Sequence, residues 1–459
     1  MTIYAKIALG FGAVLSAAFV PAAAITTPAR AGDAPVDAAS LVDPTGWQLA
    51  VEQGDPAAAA AHYDDALALY ASLDQGQQRA IEDFGLTPPP GYPEPEAITP
   101  ESLETLERAA DALLEGARHV KAVWPPWPFP DDANDPAPQL WPYADILLAL
   151  QTRRIFSRGV TGFASLLAAE GRHEESARLL MAFNDYARAS ERRDFLAGDL
   201  LDIALAHIAD QRLARLAPEF PEDIRAKASV ELDRRIARGL ARDTAAPLED
   251  EVRIQRRCIQ LLREAPNREA LADEIREYLD SFKPKPPRPN PASWSDRLGA
   301  MIGSWFEPGP PTRKEIIGAM ETEIAWAEEL IAALREGRDA APILAAAEAD
   351  AQKMAFQYPG FALSPAYARY PEMARRANMS FLLLRAGYAC LAEPDRDRWP
   401  ALPEMRHPDT GLPFVAAAYP EGQTERTDYF ILYETPEAAH DWRKADKMPP
   451  MRFGPPAGP

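Results

Sequence analysis

The chain has 459 residues, 47% of them hydrophobic, and a formal net charge of −20. That apolar content is enough to build a core and excludes a wholly disordered chain. The acidic balance argues against nucleic acid, whose phosphates need a basic face, and equally against an anionic membrane surface.

Taken in order, the chain opens with Lys6 and an apolar run from Ile7 to Ala24 broken at Pro21, with Ala22-Ala23-Ala24 and Ala29-Arg30-Ala31 as small-residue sites. A basic start, an apolar stretch and an A-x-A site predict a secretory signal peptide over 1–31, cleaved at Ala24 or Ala31. Retained, the run of about 18 residues would reach the lower limit of a membrane anchor. No later stretch of span length is free of charges, so no stable membrane span is expected after cleavage. The expected location is periplasmic or secreted.

Residues 32–123 read as an N-terminal helical region that starts with a flexible stretch to about Val42. Asp55-Pro56 pairs an N-cap residue with a proline suited to the first helical turn, and Tyr63, Leu67 and Tyr70 then share one face. Thr99-Pro100-Glu101-Ser102 opens a second helix carrying Leu103, Leu106, Ala110, Leu113 and Leu114. Residues 124–142 are an aromatic, proline-rich loop, too dense in proline through its first half to be helical. Its Trp124, Trp127, Phe129 and Trp141 either bury against the first helices, the favoured reading, or stand exposed as a platform for a sugar, a peptide or another subunit.

Residues 143–282 are predicted as a central helical-hairpin region. Ile146, Leu147, Leu150, Phe156, Val160, Phe163 and Leu167 recur at helical spacing, Gly171 interrupts, and His173–Ala187 resumes. Leu196, Leu200, Ile203 and His207 form the next stripe. Further helices are expected near 222–241, 247–264 and 267–282. Residues 283–291 (KPKPPRPNP) form a stiff polyproline-type linker and the best domain boundary. A C-terminal helical region, 292–398, follows, with helices marked by Ile317, Met320, Ile324, Ile331 and Leu334, then by about 341–356 and 366–392. Residues 399–443 predict a terminal β-hairpin from the runs Pro413–Ala418 and Thr427–Tyr433, and 444–459 a disordered tail. The fold class is therefore all-α: stacked antiparallel helical hairpins, repeat-like, with a small C-terminal β-hairpin.

Few constellations carry chemistry. Asp409-Thr410-Gly411 spells the aspartic-protease tripeptide, but that chemistry needs two carboxylates on β-rich lobes, and a turn before the hairpin is the expected role. The six histidines form no H-E-x-x-H motif; His207 lies on an apolar stripe and is expected in the core. Asp131, Asp132, Asn134 and Asp135 lack the spacing of a calcium loop. No nucleophile elbow, phosphate-binding loop or dinucleotide fingerprint is present. No catalytic residue, metal site or cofactor is assigned. Arg153, Arg154, Arg158, Arg256 and Arg257 either grip an acidic partner or, as expected, pair within this acidic chain. Cys258 and Cys390 are the two cysteines; export would allow a disulfide, and two buried thiols are the alternative.

Two resemblances follow from particular residues. The strings VEQGDPAAAAAHYDDALALY and AAEGRHEESARLLMAFNDYA are similar to the tetratricopeptide style of helical hairpin, in which Gly171 closes one helix and Ala177 permits close packing. Trp399-Pro400, Asp409-Thr410-Gly411-Leu412-Pro413-Phe414 and Tyr429-Phe430-Ile431-Leu432-Tyr433 resemble the C-terminal D-x-x-G-x-P hairpin of a group of uncharacterised exported bacterial proteins. The departure is Pro408, which precedes the aspartate instead of following it. The resemblance implies helical hairpins with a terminal β-hairpin and implies no activity. The function expected is a scaffold that binds another envelope protein without catalysis. The alternatives are an envelope polysaccharide hydrolase with paired carboxylates, and a carbohydrate-binding module built on the Trp-Pro loop.

Overall fold

In a computed structural model the described residues are 47, 54–84, 98–119, 122–124, 143–188, 190–191, 196–237, 245–265, 267–281, 311–347, 349, 364–407, 411–419, 426, 429–435, 439 and 450–454. Helix makes up 79% of the interpretable residues, with a small antiparallel sheet near the C-terminus, as the hydrophobic periodicity predicts. The signal-peptide segment, Trp127, Phe129, Trp141, the acidic stretch 131–135 and the linker 283–291 lie outside the described residues.

The first helices start where the capping chemistry places them. α1 (Pro56–Ala71) begins on Asp55, whose carboxylate accepts from the Ala57 amide. α2 spans Gln75–Phe84 and α3 Pro100–Ala117. Thr99 caps α3 reciprocally with Ser102, satisfying amide groups that a helix start leaves without partners. α1 packs along α3, and Trp47 is buried beside them, its indole donating to Glu174 at 3.0 Å. β1 (Ala122–Val123) pairs in parallel with β2 (Ser190–Glu191), tying the start of the aromatic loop to the end of a later helix.

The centre is a hairpin of α4 (Tyr143–Ala169) and α5 (His173–Arg188). Gly171 joins them at φ +79°, a left-handed conformation that favours glycine. The next helix is α6 (Leu196–Leu216), packed on both α4 and α5. α6 supplies apolar residues to every large core cluster: Leu205, Ala209 and Leu213 to one with α1–α5, Leu201 to one around α8 to α10, and Ile203 to a third. A helix apolar on several sides belongs in the interior.

α7 (Glu222–Ala237), α8 (Ala246–Glu264), α9 (Arg268–Ser281), α10 (Arg313–Glu336), a short helix over 341–347 (α11) and α12 (Ser364–Ala392) complete the helical body. α8 and α9, before the proline-rich linker, share one core cluster with α10, after it. Residues 283–291 therefore do not separate two independent cores. The apolar stripes of α8 and α10 face each other, so the boundary expected there falls inside one packed body. No helix among the described residues is long and apolar enough to cross a membrane.

After α12 a short 3₁₀ segment, Arg396–Ala401, buries Trp399 against Phe430. β3 (Val415–Ala418) and β4 (Phe430–Tyr433) form the expected hairpin in the register Val415↔Tyr433. A third strand, β5 (Met451–Phe453), pairs antiparallel with β4 and is buried. This corrects the tail: disorder was expected from Lys444 onward, yet residues 451–453 are a strand. Met451 and Phe453 alternate inward around Arg452, and Phe453 stacks on Phe430 with ring centres 4.7 Å apart. Gly387 of α12 lies under that ring, where a Cβ would collide with it. Three residues are too short a run to register as a strand in a proline-rich tail.

Candidate functional site

Of the aromatic loop, Trp124 is described. Its indole donates to both carboxylate oxygens of Asp64 at 3.0 and 3.1 Å, and its ring stacks on Tyr63 at 6.0 Å between centres. One face of Trp124 is thus taken up by packing on α1. The cysteines are free and buried in different clusters: Cys258 in the core of α8 to α10, Cys390 beside Met405 at 3.4 Å. The disulfide held open by the sequence is not formed, because each thiol packs as a small apolar group. Burial pushes both thiols up to about 12, so neither is a ready nucleophile. Asp409 and Thr410 lie outside the described residues; Gly411 sits in a tight turn, its amide donating to the His407 carbonyl at 2.8 Å.

The densest polar site is where α5, α6 and α12 meet. Asn184, Asp210 and Ser380 are fully buried there, with Arg188 and His207 beside them. Asp210 accepts from Asn184 at 2.6 Å and from Arg188 at 2.7 Å. Arg188 further donates to the Ala377 carbonyl and lies over the Phe381 ring at 4.8 Å. His207 Nδ1 is 3.1 Å from Ser380 Oγ. Either atom of that pair can be the donor, according to the tautomer of the ring.

That wiring decides the chemistry. Serine, histidine and aspartate are the residue types of a nucleophilic triad, in which imidazole takes the serine proton and the carboxylate orients the imidazole. Here the carboxylate of Asp210 is held by Asn184 and Arg188, and the hydrogen bond of His207 goes to Ser380, so no carboxylate orients the imidazole. Burial, then Arg188 and Arg215, push His207 down to about 4, so it is neutral near pH 7. Burial raises Asp210, and Arg188 is the main group opposing that rise. The arrangement pins three helices together.

Two further clusters repeat the pattern. Arg153 of α4 pairs with Asp202 of α6, both almost wholly buried. Glu231 of α7 is bound by Arg234 at 2.9 Å and Arg235 at 3.2 Å, and Arg235 reaches Asp185 of α5 at 2.6 Å. Arg158 meets Glu82, and Arg256 meets Glu328. The arginines considered for an acidic partner are thus paired within the chain at Arg153, Arg158 and Arg256, while Arg257 donates to Gln260 at 2.8 Å.

Two carboxyl groups do come together, at Glu251 of α8 and Glu323 of α10. They are 8% and 3% exposed, with Gln255 donating to Glu323 at 3.2 Å. Burial first, then Glu251, push Glu323 up to about 8. A glycosidase needs two carboxyls flanking a sugar ring; this pair is buried on the two helices that share the core of Val252, Ile254, Ile324 and Ala327. Among the described residues no group of three or more His, Cys, Asp or Glu is placed to hold a metal. A small crevice elsewhere, lined by Tyr70, Leu106, Phe156, Val160, Phe163 and Leu179, is apolar.

Sequence reasoning passed over Asn184, Asp202, Asp210 and Ser380. The available signal was a polar residue on an apolar face: Asp202, Ala206 and Asp210 follow one another at steps of four along α6. No protein-family model matches the chain, and no curated protein and no solved structure matches it either.

Proposed function

We propose that the chain is an exported, tetratricopeptide-like helical scaffold of the periplasm or exterior that binds another envelope protein and carries out no catalysis itself. One observation carries this reading. The buried carboxylates Asp202 and Asp210 of α6 each accept from a guanidinium of another helix, Arg153 of α4 and Arg188 of α5. Groups spent on fixing helix to helix are not poised on a substrate, and a rigid helical body is what a binding surface needs. The basic, apolar and small-residue leader supports the location. The triad-like residues at Ser380 and the carboxyl pair at Glu323 favour a structural role for the reasons of wiring and burial given above.

The test is photo-crosslinking in the source cell from the exposed positions Ile208, Val230 and Leu412, with the full-length gene. The expected result is a processed chain in the envelope fraction joined to one identified protein, which then binds the purified chain saturably. A chain found in the cytosol with its leader intact would overturn the location. Release of reducing ends from envelope polysaccharide by the purified chain would overturn the absence of catalysis.

A further inference from the structure

The small C-terminal sheet has an open side. Its strand order is β3-β4-β5, so among the described residues β3 has a paired strand on one side alone. Residues 405–407 cover the approach to β3 on the other side. The Phe414 amide donates to the Met405 carbonyl at 2.8 Å, the His407 amide donates to the Leu412 carbonyl at 2.9 Å, and Arg406 stands opposite Pro413. The chain leaves that lane at Met405, whose own amide turns back to the Leu402 carbonyl. Backbone groups alternate in direction along a strand. Leu412 and Phe414 point to this side, so Ala416 and Ala418 do as well, while Val415 and Ala417 point to β4. Among the described residues no hydrogen bond reaches the outward amide and carbonyl of Ala416 or Ala418.

Sheet edges are ordinarily guarded by lysine, proline, a bulge or a covering loop. Val415-Ala416-Ala417-Ala418 carries no charge and no proline, and runs from half-buried to exposed. The edge is also complementary to itself. Two copies set antiparallel about a two-fold axis at Ala417 place Ala416 opposite Ala418 of the second copy, and Ala418 opposite its Ala416. Both are hydrogen-bonded pairs, each exchanging two main-chain bonds. An axis at Ala416 would instead drive Ala418 of the second copy into the place beside Phe414 that Met405 holds. At the Ala417 axis the residue meets its own copy in a non-hydrogen-bonded pair. Cα atoms there approach to about 4.5 Å, which suits a methyl group.

Charge favours a second copy as the occupant. Arg406 is exposed, donates to the Gly411 carbonyl at 3.3 Å and has no ion pair among the described residues. In the paired lane it lies two positions from Tyr419 of the second copy, on the same face. That is about 7 Å along the strand, within reach of a guanidinium–ring contact. The second copy carries a net charge of −20, so the cation at the seam meets a field of opposite sign.

We propose that the chain forms a two-fold dimer by antiparallel pairing of β3 with β3 of a second copy, in the register Ala416↔Ala418 about Ala417. A seam this short falls below the area of a standard interface, so the dimer is weak, with a dissociation constant on the order of 100 µM. The test is sedimentation equilibrium of the purified full-length chain at concentrations from well below to well above that value, where a monomer–dimer equilibrium is expected. Ala418→Pro removes an outward amide and none that bonds β4. It should weaken the dimer by about tenfold or more and melt as the wild type does. Arg406→Gln should weaken it by less, and Val230→Ser, at an exposed position on α7, not at all. Ala417→Cys should give a covalent dimer under mild oxidation, because the axis sets the two Cα atoms at a disulfide separation. Val415→Cys should not, since this register leaves the two copies of residue 415 four positions apart. Cys258 and Cys390 are buried and stay out of the reaction. A chain that stays monomeric at the highest concentration refutes the second copy as occupant of the edge. So does a dimer that Ala418→Pro leaves intact, or one that Val415→Cys crosslinks as readily as Ala417→Cys.

Discussion

Replacing Glu323 with glutamine should make the protein more stable at alkaline pH while changing little under mildly acidic conditions. The carboxyl is 3% exposed between α8 and α10, one of its oxygens has no hydrogen-bond partner, and Glu251 is close enough to repel its charge. Its pKa is raised from the ordinary 4.5 to about 8 in the folded chain. A carboxyl raised on folding holds a proton that the unfolded chain gives up. Stability is therefore complete below about pH 4.5 and is lost as the pH rises toward 8. At about 1.4 kcal/mol per pH unit, the loss at pH 8 is about 4 kcal/mol, and at pH 5 it is below about 1 kcal/mol. Glutamine keeps the shape and a hydrogen bond to Gln255 and has no charge to bury. Urea denaturation followed by circular dichroism at pH 5 and pH 8, for wild type and Glu323→Gln, gives two stability differences. The variant's advantage should be larger at pH 8 by about 3 kcal/mol. Other titrating groups, such as His207 and Asp210, act equally in both proteins and cancel. An advantage that is the same at both pH values would show that Glu323 is ionised in the folded chain, and the account of α8 against α10 would be wrong.

Three other outcomes follow from the same structure. Arg153→Met or Asp202→Leu alone strands a charge at a position 2% exposed and should cost about 3–5 kcal/mol in a denaturation midpoint analysis, whereas the double variant should recover most of that loss; a double variant as weak as either single one would mean the helices α4 and α6 are not joined there. Gly387→Ala should loosen β5 from α12, because its methyl group meets the Phe453 ring, and limited proteolysis should then clip the C-terminus early; combining it with Phe453→Ala should not slow the clipping if the ring itself is the anchor. His207, lowered to about 4 by burial, binds its proton less well folded than unfolded, so stability should be complete above its ordinary 6.5 and fall by up to about 3 kcal/mol as the pH drops toward 4. An imidazole chemical shift that titrates near 6.5 would contradict that.

Local chemistry was legible wherever it depends on neighbours in the chain. Asp55-Pro56 and Thr99-Pro100 mark helix starts because a side-chain oxygen and a proline suit a first turn whatever lies elsewhere. Gly171 marks a break because a left-handed residue is needed to reverse α4 into α5. The buried site was less legible. His207 was placed correctly on an apolar stripe, yet its partner Ser380 stands 173 residues away. Spacing along one helix carries no information about which distant hydroxyl will meet it.

The amino-acid order by itself determined an all-α body with a C-terminal hairpin, since apolar periods of three to four residues leave each helix a stripe that only another helix covers. Tertiary structure alone decided that α8 and α10 share a core across the proline-rich linker, that the tail returns as β5, and that Cys258 and Cys390 stay apart. It also decided which carboxylates are neutralised by arginine and which, like Glu323, by a proton. These outcomes depend on the free energy of burying particular groups against partners remote in sequence, and that energy exists only once the chain has closed around them.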